Sequence, residues 1–154
     1  MTQASIEVEP ISGGNLVFVC GPDHRLSHYT LATPQDLRGE RIYIANRSNT
    51  PYLWNTVNQF LIANDLSTEA LEEMNSPYSM MMMIEAGLGV TVLASNLIAE
   101  MGNLAHLHMI KVAGLESFSR LYFAYKKDTD NLCIDNFLQE LRSVKQATMP
   151  GNVE

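Results

Sequence analysis

Short hydroxyl and amide side chains crowd the run Asn46-Arg47-Ser48-Asn49-Thr50-Pro51-Tyr52, and a second group of the same kind stands at Asn75-Ser76-Pro77. Each run contains a good helix N-cap, Thr50 or Ser76, followed by the residue that best tolerates the first helical position, proline. A helix start offers N–H groups without intrahelical partners and a partial positive charge. Two such starts facing one crevice would make a receptor for a small anion. In it Ser48, Asn49, Thr50 and Ser76 would bond a carboxylate or hydroxyl, and Asn46 lies in the same loop. Arg47 would add a bidentate ion pair, and Pro51 and Tyr52 apolar contact. The plainer reading is that these residues only cap helices, as every α/β protein requires.

Other candidate chemistry is weaker. The methionines Met80–Met83 offer soft sulfur ligands, but successive helical positions point in different directions, so core filling is expected. His106 and His108 would share one face of a strand, yet no third zinc ligand has suitable spacing. Asp23 and His24 are adjacent, and neighbours on an extended chain point to opposite faces. Gly87-Leu88-Gly89 follows its helix, whereas a phosphate loop must open one. There is no Gly-x-Ser-x-Gly elbow, no Walker-type loop and no defensible carboxylate pair. The residues therefore predict a binding protein with no catalytic residue, no metal and no cofactor.

The elements that must position the loops follow from apolar periodicity. Leu16–Cys20 reads as a buried strand, 41–45 as a second, and 51–63 as a helix with Leu53, Trp54, Val57, Phe60 and Leu61 at helical spacing. A short strand is expected near Ser67–Leu71. A Ser76-capped helix then runs through Met80–Ile84 to Gly87. Strands at 90–93, 107–112 and 120–125, a brief helix at 96–101 and a helix at 131–147 complete the pattern, with Met149 to Glu154 as a frayed tail. In the last helix Ile134, Phe137, Leu138, Leu141 and Val144 form one face. Alternating strands and helices imply an α/β fold with a largely parallel sheet, and ligands of such sheets sit beyond the carboxyl ends of the strands.

Bulk properties narrow the class. The chain has 154 residues, 46% of them hydrophobic, and a net charge of −7. An acidic chain without a basic stripe is not expected to grip nucleic acid itself. The N-terminus lacks the basic region and apolar core of a signal peptide, and no apolar stretch approaches the roughly 20 residues that span a bilayer. A cytoplasmic protein without membrane contact is expected. Cys20 and Cys133, far apart within apolar segments, read as buried free thiols.

The ordered segments resemble the effector-binding domain of LysR-type transcriptional regulators. Leu16–Cys20 with Gly21-Pro22-Asp23-His24-Arg25-Leu26 is similar to the family's entry into the second lobe. Leu31 through Asp36-Leu37-Arg38-Gly39-Glu40 is similar to its L-x-D-L-x-G element, and Met83–Leu93 to its helix–glycine–strand core. Residues 121–128 and the terminal helix resemble the return into the first lobe. The resemblance runs from about Glu7 to Arg142. It implies a periplasmic-binding-protein-like (type 2) α/β fold with a mixed, largely parallel sheet flanked by helices. It also implies residues 21–114 as lobe 2, and residues 1–20 with 115–154 as a partial lobe 1.

The effector would sit between the lobes. The contacting loops would fall on Ser48, Asn49, Thr50, Pro51, Tyr52 and Ser76. The expected function is sensing a small, anionic metabolite to control transcription, as a homodimer. DNA would be reached only through a helix-turn-helix that this chain does not include. A solute-binding protein or enzyme on the same scaffold, and a truncated fragment that senses nothing, are the alternatives.

Overall fold

The computed structural model describes residues 5–100, 102–104, 106–127 and 131–148. The tail from Met149 to Glu154, and Met101 at the end of the expected brief helix, lie outside them. The elements are β1 (Ile6–Cys20), β2 (Leu31–Ala32), β3 (Ile42–Ala45), α1 (Pro51–Ala63), β4 (Leu71–Met74), α2 (Pro77–Glu85), β5 (Val90–Ala94), α3 (Ser95–Glu100), β6 (His108–Val112), β7 (Phe118–Lys126) and α4 (Leu132–Thr148). None of the described helices is long and apolar enough to cross a membrane.

Two compact units result, one of residues 14–119 and one of residues 1–13 with 120–154. Those divisions fall outside the boundaries expected from the sequence, 20/21 and 114/115. The first division falls within β1, whose second half packs within the larger unit, and the second falls within β7 (Phe118–Lys126).

In the larger unit the strand order is β2-β6-β1-β5-β3-β4. β1 runs antiparallel to both β5 and β6, whereas β3 is parallel to β4 and β5, and β2 to β6. The sheet is thus mixed, with its parallel strands β5-β3-β4 leading into the loops of interest. Alternate residues of its central strands feed two cores. Phe18, Ile42, Ile44, Val90 and Val92 meet Val57, Phe60 and Leu61 of α1, while Val17, Val19 and Tyr43 meet Met80 and Ile84 of α2 and Ile98 of α3. Strands covered on both faces have no solvent side, which is why they read as unbroken apolar runs.

β4 lies three to four residues later than expected. Ser67 accepts a hydrogen bond from Glu69 N and winds residues 68–70 into a 3-10 turn before the strand begins. Glu72 and Glu73 look helical in sequence, but charged side chains suit an edge strand, which β4 is. Of the methionine run, Met80 is buried, with its sulfur accepting from Thr91 Oγ1 at 3.5 Å. Met81 and Met83 are half-buried and Met82 is exposed, so core filling describes only part of the run.

The smaller unit joins the first part of β1 and most of β7 to α4. Lys127 N donates to Ser5 O. Tyr125 OH lies 2.9 Å from Glu7 and 3.3 Å from Glu9, Lys127 pairs with Glu7, and Arg142 pairs with Glu9. Phe123 packs on Phe137 at 4.8 Å between ring centroids. Of the apolar stripe expected on α4 only Leu138 is buried, and Phe137 and Val144 are exposed. Cys133 is likewise exposed, near the start of α4, and only Cys20 is a buried thiol; burial, with Glu40 nearby, pushes Cys20 up to about 11.

Candidate functional site

β3 and β4 run parallel, so the loops that leave their carboxyl ends emerge side by side. Asn46 fastens the two loops together. Its N–H donates to Met74 O, and its Nδ2 donates to Asn75 Oδ1 at 3.0 Å. Its Oδ1 accepts from both Ser48 N at 2.9 Å and Ser48 Oγ at 2.7 Å, closing a tight Asx turn. Its carbonyl accepts from Asn49 N and Thr50 N. One side chain and its backbone thereby set the shape of the whole loop ahead of α1.

Thr50 departs from the expected role. Its side chain makes no cap hydrogen bond; Oγ1 turns back to Ala45 O and Asn46 O, each at 3.3 Å. Its carbonyl still opens the helix by accepting from Trp54 N. The first-turn N–H groups of Tyr52 and Leu53 therefore keep no hydroxyl cap from Thr50, and Pro51 has no N–H to satisfy. Ser76 is a conventional N-cap, with Oγ accepting from Ser79 N at 3.3 Å.

Three neighbours absent from the expected set belong to the same place. Arg47 N donates to Glu73 Oε2 at 3.0 Å. The Arg47 guanidinium carbon stands 4.3 Å from the centroid of the Trp54 ring. Tyr52 OH and Ser117 Oγ are hydrogen-bonded at 2.8 Å. Glu73 and Ser117 are far away in sequence, so spacing gives no sign of them. Trp54, seven residues after Arg47, was legible only as a core residue of α1.

All eight expected residues thus cluster on the larger unit, around the starts of α1 and α2. Arg47, Ser48, Asn49, Pro51 and Tyr52 are exposed. The Ser48 and Thr50 hydroxyl protons are engaged internally, so the donors that remain beside the loop are the first-turn N–H groups that Thr50 does not cap and the Arg47 guanidinium. Cavities of about 640, 320 and 330 Å3 lie elsewhere, although the last includes Ser117.

The remaining candidates resolve into structural roles. His24 is buried and faces Glu40, not Asp23: its Nδ1 accepts from Leu26 N, so Nε2 carries the proton toward Glu40 Oε2 at 3.0 Å. His106 pairs with Glu85, and His108 Nε2 with Tyr29 O. His106 lies ahead of β6, so the two histidines do not share a strand face. Among the described residues no group of three or more His, Cys, Asp or Glu could hold a metal ion.

The family model described as LysR substrate binding domain matches residues 2–146. No curated protein matches the chain. Among solved structures, the regulatory domain of NMB2055 (MetR) from N. meningitidis, a LysR family regulator, is 20% identical, with a TM-score of 0.64 over 97% of this chain and 69% of that one. The Synechocystis PCC6803 CcmR regulatory domain in complex with 2-PG is 17% identical, with a TM-score of 0.71 over 98% and 72%. The effector-binding domain of QuiR in complex with shikimate is 14% identical, with a TM-score of 0.69 over 97% and 69%. At these identities the likeness to the solved structures is one of fold, the periplasmic-binding-protein-like α/β fold of LysR effector-binding domains.

Proposed function

We infer that this chain, which belongs to the LysR substrate-binding domain family, receives its effector at the loops ahead of α1 and α2. The effector is a small anion, and its binding regulates transcription through a DNA-binding part outside this chain. The observation that carries the reading is the Asn46–Asn75 hydrogen bond. It ties together two loops that each open a helix, so two sets of first-turn donors are held at one edge. Arg47 supplies full positive charge there, within a chain of net charge −7. The QuiR domain is in complex with shikimate, a carboxylate, which supports the ligand class.

The test is calorimetry and thermal shift with small carboxylates, benzoate and shikimate among them, on the wild type and on Ser48→Ala/Thr50→Ala/Ser76→Ala. On binding, the Ser48 and Thr50 hydroxyls exchange their internal acceptors for the anion, and Ser76 Oγ, an acceptor for Ser79 N, gives its own proton. A hydrogen bond to a charged group is worth about 1.5–3 kcal/mol, so affinity should fall at least about tenfold. The ligand-induced shift is compared within each protein, because loss of the Ser76 cap lowers stability by itself. Ligands that act equally on both proteins show that the site is elsewhere.

The same reading includes self-association. Ile6, Val8, Leu121, Tyr122 and Leu132 of the smaller unit are exposed apolar side chains, and a second copy is the simplest cover for them.

A further inference from the structure

Arg47 is a cation with an aromatic platform and no acid. Its guanidinium stands over Trp54, and among the described residues no carboxylate lies within ion-pairing distance of it. Glu73 meets Arg47 at the backbone instead, where its Oε2 accepts from the Arg47 N–H at 3.0 Å. Trp54 is itself half-buried against the α1 core, and its Nε1–H meets no acceptor among the described residues, so packing fixes the ring. A cation–π contact uses the charge of a guanidinium and leaves its N–H fork to bind. An exposed arginine otherwise samples many rotamers, and each must be given up when an anion binds.

Resting on the reading of these loops as an anion receptor, we propose that Trp54 is the positioning residue for Arg47. It holds the guanidinium ready beside the loop, and the ligand it selects carries a free carboxylate that Arg47 grips in bidentate fashion. The same stack makes Trp54, the one tryptophan of the chain, an intrinsic reporter of that carboxylate.

Trichloroacetate is a carboxylate that quenches indole fluorescence, trichloroethanol is a neutral quencher of similar size, and caesium is a cationic one. Two opposite charges in contact in water concentrate one another severalfold. The ratio of trichloroacetate to trichloroethanol quenching should be about two- to fivefold higher in the wild type than in Arg47→Gln, with caesium quenching reversed in order. Arg47→Lys, which keeps the charge and lacks the fork, should fall between.

The positioning role is read separately, from the Arg47 side-chain NMR signals. Ring current from Trp54 should displace them in the wild type, partly in Trp54→Phe, and not in Trp54→Leu. Equal quenching of wild type and Arg47→Gln overturns the inference, whatever the loop variants do. Signals unchanged in Trp54→Leu overturn the positioning role. Arginine-dependent quenching alongside loop variants that bind carboxylates normally leaves the stacked arginine standing and removes the loop reading.

Discussion

At the scale of single residues, hydrogen bonds decide which polar groups are free for a ligand. Asn46 spends its amide shaping the loop, and Thr50 turns inward, so the hydroxyl-rich run is less open than its composition implies. Composition told where polar groups congregate but not which of them satisfy each other, because Met74, Asn75 and Glu73 reach the loop only through strand pairing. Asp36 shows the same economy. Thr33 Oγ1, then Thr33 N, and then the charge of Arg25 hold its carboxyl below the usual aspartate range. A depressed carboxyl stabilises the fold above its unfolded value of about 3.9 and loses that contribution as pH falls through the lower folded value. Asp36→Asn should therefore be less stable than the wild type in urea at neutral pH. The gap should close as the pH drops below about 4. A gap that stays constant across that range contradicts this assignment.

At the scale of elements, close approach of backbones sets the spacing of the strands that carry the loops. Gly89 leads into β5, and a Cβ there would meet Arg41 O at 2.5 Å and the Tyr43 ring at 2.8 Å, just ahead of and within β3. Gly89→Ala should cost about 1–3 kcal/mol in chemical denaturation, as overpacking does. A loss under about 0.5 kcal/mol would show that β3 and β5 adjust freely. The helices were legible because Pro51, Ser76 and Gly87 mark their ends by local chemistry; Gly87 adopts φ 72°. The edge strand β4 was not, since its glutamates carry helix propensity and its strand character comes from pairing with β3. The first half of β1 was missed as well. Ile6-Glu7-Val8-Glu9 alternates as a strand should, yet its carboxylates turn inward to Tyr125, Lys127 and Arg142, which only the fold brings near.

At the scale of the whole molecule, the proposed self-association rests on the smaller unit. Its described residues leave Ile6, Val8, Leu121 and Leu132 exposed, apolar surface that a second copy would cover. Light scattering over a concentration series should give a homodimer; a well-folded species that stays at 17.2 kDa at high concentration contradicts it. The central claim is that the paired loops of the larger unit receive a small anion. Backbone amide NMR during titration with benzoate, shikimate and acetate tests it most directly. The account predicts saturable shifts concentrated at residues 46–54 and 76–79. Saturable shifts confined to other residues, or none from any of the three anions, would contradict it.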